Sequence, residues 1–537
     1  MISMAYISID RKKGEEYIRI MESVVVNGKK TKRTLHSLGK VSDYTPEILK
    51  RIGRRLFELG GGDFKALLGP DIKELTRINY GYFQCINKGI KFYGLDQTIR
   101  RVQKNKRIKF DLYQCLLLML VERLHDPSSK RQNYFNQSEY LGLQKVELHQ
   151  IYRSLDYLSD AAKIIQQKIY EKGRNLFNQK LDVVFYDVTT FYFHSDKADE
   201  LRAKGFSKDG KQGKVQIVFG LLIDKHKQPI GYQIYKGNFF EGHTFRDALE
   251  KLKKAYAIDK VIVVADRGML NKNNIQLTVE NSFEFILGEK LRMLPATVKS
   301  YLIQPVHYKS EWVYDKDGEE VHVRYCAIKH EERTIIGTWS DRRAAKDKND
   351  REEKLEKALM FLNKPSQLSK KAKSFFIKDE ATHKYSLDED KIKAAAQYDG
   401  YLAISTNTTD LATTEILDHY RHLFQIEQTF RTFKSHLETR PMFHWTEKRI
   451  EGHICMCYIS YTIHNFLRQR LAAKKVKLSD SALRRNLDKM QLSLIETGGK
   501  QFYIRSANKE HIPNIVQKLG LKPLPSFFHK DQIINYL

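Results

Sequence analysis

The chain has 537 residues, 41% hydrophobic and 11% aromatic, enough apolar material for several packed domains; a mostly disordered chain is excluded. Lys and Arg number 93 against 65 acidic residues, a formal net charge of +28, so the expected partner is a polyanion, nucleic acid ahead of a membrane surface. Five scattered cysteines exclude a disulfide framework, and neither a secretory signal nor an apolar run of about 18 residues is visible, so a cytoplasmic protein without membrane association is expected.

Residues 1–42 read as a small β-rich segment. Tyr6-Ile-Ser-Ile and Tyr17-Ile-Arg-Ile alternate apolar and polar positions, and Asn27-Gly28 is a hairpin-type turn. Residues 43–180 turn helical. Arg100, Arg101, Lys104, Lys106, Arg107 and Lys109 crowd together ahead of an apolar helix at 112–124. This is the candidate DNA-binding region; a solvated basic face is the alternative. Residues 181–290 read as β-β-β-α-β-α-β. Three strands joined by short turns predict antiparallel pairing, and the strand-helix-strand units after them predict parallel pairing. The fold class expected is α/β, a mixed sheet. Residues 291–398 interrupt it with short strands and a very polar helix, and read as an inserted β-rich subdomain. Residues 399–475 return to the core with a strand at 401–405 and an amphipathic helix over 413–437. Residues 476–537 form a C-terminal region read as mainly helical.

Three acidic residues stand out. Asp187 interrupts the run Val183-Val-Phe-Tyr-Asp-Val188, a strand apolar on both faces, where a carboxylate is costly unless paired or bound to a metal. Asp266 follows Val261-Ile-Val-Val-Ala265 at the carboxyl end of a buried strand, where open α/β sheets collect their sites. On a helix at 100° per residue, Ile416, Tyr420, Leu423, Phe424, Phe430 and Leu437 form the apolar face, and Glu427 and Lys434 project from it. Each acid has a plainer reading: a strand Asp satisfied locally, a loop Asp capping the next helix, and an i,i+4 pair of Glu427 with Arg431. Taken together, three carboxylates suit hard divalent cations, and two such ions suit phosphodiester displacement. No phosphate-binding Gly-rich loop with Lys-Ser/Thr is present, so no nucleotide cofactor is expected. His453, Cys455 and Cys457 lack zinc-site spacing and read as core residues. Trp445 reads either as a base-stacking aromatic or as a packed one.

The segments Phe185-Tyr-Asp-Val-Thr-Thr190, Gly205-Phe-Ser-Lys-Asp209, Gly237-Asn238 with Thr244, Val263-Val-Ala-Asp-Arg-Gly268, Asp399–Thr406, Tyr420–Lys434 and Arg440-Pro-Met-Phe-His-Trp445 occur in one order over roughly 180–470. In this the chain resembles bacterial insertion-sequence transposases of the DDE type, closest to the group with a β-rich insertion before the catalytic Glu. The resemblance implies a ribonuclease H-like core and a catalytic, metal-binding triad of Asp187, Asp266 and Glu427 holding two Mg²⁺, with Mn²⁺ as substitute. It implies a Tyr-Arg-Glu-Lys signature, here Tyr420, Glu427 and Lys434 with Leu423 at the Arg position. Tyr420, Arg431, Lys434, Lys208 and Arg267 are the DNA contacts it implies. The implied reaction is hydrolysis at the transposon end followed by attack of the freed 3′-hydroxyl on target DNA. The partners are terminal inverted repeats, target DNA and a second copy of the chain in the synaptic complex. A ribonuclease H-like nuclease without strand transfer, and a non-catalytic DNA-binding relative, are the competing functions.

Overall fold

The computed structural model describes all residues except 1–4, 27–28, 63–71, 177–182, 207–212, 240–243, 249, 251–261, 267–271, 281–282, 317, 360–374, 379–384 and 537. Lys208, Arg267 and the Asn27-Gly28 turn therefore lie outside the described residues. The chain divides into two compact units. The first comprises residues 1–77, 492–505 and 525–535. It holds an antiparallel sheet of Ala5–Lys12, Glu15–Val26 and Lys29–Lys40, as the alternation predicts. It also holds the helix α1 (Pro46–Leu59), whose N-cap Thr45 accepts the Ile48 N–H, and a second sheet in the order Phe527–His529, Lys500–Arg505, Gln491–Thr497, Lys73–Asn79. The C-terminal region is thus not all helical: three strands lie between its helices Asp480–Asp488 and Ile512–Leu519 and beyond. The region 43–180 is split between the two units at residue 77.

The second unit carries the large sheet. Its strands are β1 (Val183–Tyr192), β2 (Val215–Asp224), β3 (Pro229–Lys236), β4 (Ile262–Ala265), β5 (Glu284–Glu289), β6 (Ser310–Lys316), β7 (Glu319–His330), β8 (Arg333–Trp339) and β9 (Tyr401–Thr406). Within it, β3-β2-β1 pair antiparallel, and β1-β4-β5 pair parallel. This is the predicted ribonuclease H-like order. The insertion does not leave the sheet but extends it, as β5-β9-β8-β7-β6, all antiparallel. The β2–β3 turn is fixed by Asp224, whose Oδ1 accepts the N–H groups of His226 and Gln228, both at 2.8 Å.

Side chains alternate across β1. Val184, Tyr186 and Val188 join Val218, Leu222 and Phe245 in the core of one face. Phe185, Asp187, Thr189 and Phe191 belong to the other, where Phe191 packs on Phe219 at 5.2 Å between centroids. Phe219 in turn meets Phe430 and Phe433, at 6.3 and 5.4 Å. Each such aromatic contributes about 1.5–3 kcal/mol on burial. Behind them runs a helix buried on all sides over most of its length, Glu447–Ala473, packed on Leu148–Leu176. Among the described residues no helix is long and apolar enough to cross a membrane.

Asp480, at the start of the 480–488 helix, ties that helix to 447–473. Its Oδ1 accepts from His464 Nε2 at 3.0 Å and Arg468 Nη1 at 2.8 Å. Burial pushes the carboxyl up, but the His464 hydrogen bond and the His464, Arg468 and His436 charges outweigh it and hold it down to about 2. A carboxyl depressed on folding stabilises the fold above its unfolded value near 3.8 and loses that contribution as pH falls toward 2. Urea unfolding midpoints should therefore drop below pH about 4, and the drop should be shallower in Asp480→Asn.

Candidate active site

Asp187 is the one residue of Val183–Phe191 that is not fully buried. Its Oδ1 accepts the Val188 N–H at 2.7 Å. Tyr186 pairs with Ala265 across β1 and β4, so Asp187 and Asp266 occupy the next pair of positions along the two parallel strands. Asp266, just past the carboxyl end of β4, is exposed.

The helix expected over 413–437 is broken into α2 (Thr413–Arg421) and α3 (Phe424–Arg431), then one π turn over Thr432–His436. The π turn is closed by the Leu437 N–H on the Thr432 carbonyl at 2.8 Å. The buried face is Ile416, Leu417, Leu423, Ile426, Phe430, Phe433 and Leu437. Glu427 is not on it. It is exposed, like Phe424, and Lys434 is half-buried. The continuous 100° wheel was misleading because the break at His422–Leu423 and the wider π turn each rotate the residues after them.

Glu427 and Asp266 line one cavity of about 410 Å³. Tyr420 lines it too. Its opposite wall comes from the insertion: Trp312 and Tyr314 of β6, then Arg342, Arg343 and Lys346 at the start of the helix Asp341–Leu359. Arg421 joins the walls. It lies over the Tyr314 ring at 4.0 Å and donates to the Asp315 carbonyl at 2.6 Å, while Trp312 Nε1 donates to Asp418 Oδ1 at 3.2 Å. Sequence reasoning missed this basic wall; its only trace was the Arg-Arg pair opening a polar helix. Arg431 is exposed and opens onto a different cavity. Among the described residues, no three of His, Cys, Asp and Glu are grouped so as to hold one metal ion. Cys455 and Cys457 are buried core thiols, as expected. Trp445 is 61% exposed with the Arg202 guanidinium 5.4 Å from its ring, so the packed-core reading of it does not hold.

The end of the π turn is held from the helical region. Arg123, buried in the helix Leu112–His125, donates through Nη1 to the carbonyls of Leu437 and Glu438, at 3.0 and 3.3 Å. Leu437 caps the π turn, so its carbonyl has no partner within the helix. Arg123→Ala should cost about 1.5–3 kcal/mol in denaturant unfolding, the range for hydrogen bonds to a charged group.

Residues 178–463 match the family described as the transposase DDE domain, more than half of the chain. No curated protein matches the sequence. Among solved structures, a piggyBac transposase synaptic complex with hairpin DNA is similar at 9% identity and a TM-score of 0.37, covering 76% of this chain and 78% of that one. A pre-cleavage Mos1 transpososome is similar at 15% identity and a TM-score of 0.15, covering 46% and 70%.

Proposed function

Because the chain belongs to the transposase DDE domain family, we propose that it is a cut-and-paste DNA transposase, hydrolysing the phosphodiester at transposon ends and joining the freed 3′-hydroxyl to target DNA. The observation that carries this reading is the single cavity lined by Asp266 and Glu427 on one side and by Arg342, Arg343, Lys346 and Arg421 on the others. Asp187 and Asp266 directly follow the paired residues Tyr186 and Ala265, and α3 packs on β1.

Asp187, Asp266 and Glu427, which are not grouped as one ion site in this structure, are the residues that would hold two Mg²⁺, or Mn²⁺ in their place. The donor set is carboxylate only, which fits hard cations. When bound, such ions polarise the phosphodiester and stabilise the attacking and leaving oxygens. The chain's own part is to bind and aim the DNA. The basic wall binds phosphates and lines the duplex against the carboxylates, Tyr420 borders the same opening, and Lys434, Arg431, Lys208 and Arg267 extend the contact. Two copies of the chain synapse the two terminal repeats in a cytoplasmic complex, and base-edge contacts from another region select the ends.

The test is to incubate the chain with Mg²⁺, DNA carrying the sequences that flank its own gene, and a target plasmid. Cleavage at the end junction with joined products supports the reading. Cleavage indifferent to end sequence would replace it with a general nuclease. Binding without cleavage would replace it with a non-catalytic relative. Affinity for end DNA should fall steeply with salt, the log–log slope losing about 0.9 for each phosphate contact removed. In Arg342→Gln/Arg343→Gln the slope should be shallower by about 1–2 in a fluorescence anisotropy titration.

A further inference from the structure

A second cavity, of about 430 Å³, flanks the helix that carries Glu427 and shares no lining residue with the first. It is bounded by the β2–β3 turn, the end of α3 with its π turn, and the helices 447–473 and 480–488. Its lining holds three fixed cations, Lys227, Arg431 and Arg468, against one carboxylate, Asp480. The Asp480 Oδ1 is already engaged by Arg468 and His464, so it neutralises little else.

Lys227 is held in place from both ends. Its backbone sits at φ +62°, and its carbonyl accepts from Tyr461 Oη and Asn465 Nδ2, each at 3.0 Å. Its ammonium donates to Gln428 Oε1 at 2.6 Å. Burial and the Arg468 charge lower its proton affinity. His436 and His464 rings stand 5.1 Å apart on the same lining. Burial first, then the His464 and Arg484 charges, pushes His436 down to about 4. With Arg468 paired to Asp480, Lys227 and Arg431 leave the lining a net positive charge, which an oxyanion would offset.

We propose that this cavity is a phosphate site, in which Lys227, Arg431 and Arg468 bind a tetrahedral phosphate group and Ser435 donates to its oxygens. The phosphate is either a backbone group of bound DNA or free inorganic phosphate. Only the first source rests on the transposase reading. A phosphodiester seated here would brace the DNA beside the catalytic helix without touching the carboxylates.

The test uses the full chain with inorganic phosphate as probe, titrated against chloride at constant ionic strength while thermal unfolding is followed. Lys227→Gln removes a cation. Ser435→Asp puts a negative charge on an exposed position at the cavity and leaves the core alone. The expected result is a saturable rise in Tm for the wild type that both variants lose. The same variants are then compared in the salt dependence of DNA binding. A slope shallower by about 0.9 in both identifies a DNA phosphate as ligand. An unchanged slope with the phosphate effect intact in the wild type identifies free phosphate. Phosphate no better than chloride, together with unchanged slopes in both folded variants, overturns the site. If the wild type fails to bind DNA at all, the transposase reading falls, and the phosphate titration still decides the cavity.

Discussion

Glu427→Gln should abolish Mg²⁺-dependent cleavage of end-bearing DNA, by about a thousandfold or more, while leaving DNA binding within a few fold. The substitution keeps the volume and polarity of an exposed side chain, so the fold has no reason to respond. What it removes is one charged oxygen donor. If that donor holds a cation that stabilises the transferring phosphoryl group by several kcal/mol, losing about 4 kcal/mol is about a thousandfold in rate. Binding rests instead on Lys and Arg contacts to phosphates, and removing a nearby negative charge strengthens those slightly. A gel-based single-turnover assay beside an anisotropy titration separates the two. Parallel loss of binding and cleavage, or cleavage within tenfold of wild type, would remove Glu427 from the catalytic group.

The second large effect is structural. At Gly452 the buried helix 447–473 presses on 148–176 so closely that a Cβ would stand 1.9 Å from the Leu155 carbonyl oxygen. The obstacle is backbone, so no rotamer change makes room. Gly452→Val must push the two helices apart, and these are the helices that flank the core sheet behind Tyr232 and Tyr458. Overpacking of this kind costs about 3 kcal/mol, and more where backbone must move. The variant should unfold at markedly lower denaturant or accumulate as insoluble protein. Stability within about 0.5 kcal/mol of wild type, the ordinary range for surface changes, would show that the two helices separate freely.

Much of the core was legible because its signals are local. The run Val183–Val188 and the run ending at Ala265 are strands on pattern alone, and a carboxylate inside one and at the end of the other marks Asp187 and Asp266. The antiparallel-then-parallel order followed from short turns and intervening helices. What was misread depends on contacts distant in sequence. Leu492, Leu494 and Tyr503 do sit in strands, but those strands are completed by Lys73–Asn79, more than 400 residues earlier, and alternation over seven residues was too weak to overrule a helical region. The face of Glu427 was misassigned because Phe424 is exposed, while Ile426 and Phe433, absent from the predicted apolar stripe, are buried. A wheel cannot register a break and a π turn inside 25 residues. The basic wall of the cavity was invisible for a similar reason: Arg421, Tyr314 and Arg342 meet only because the insertion continues the core sheet rather than forming a separate body.

On the function proposed above, Asp187, Asp266 and Glu427 act as one metal-dependent site on DNA. The most direct measurement is a Mn²⁺ titration, followed by electron paramagnetic resonance, of the wild-type protein–DNA complex beside Asp187→Asn, Asp266→Asn and Glu427→Gln. Saturable binding in the wild type that every one of the three substitutions weakens at least tenfold is the result predicted. Wild-type binding retained in any one variant, with that variant folded and bound to DNA, would contradict it.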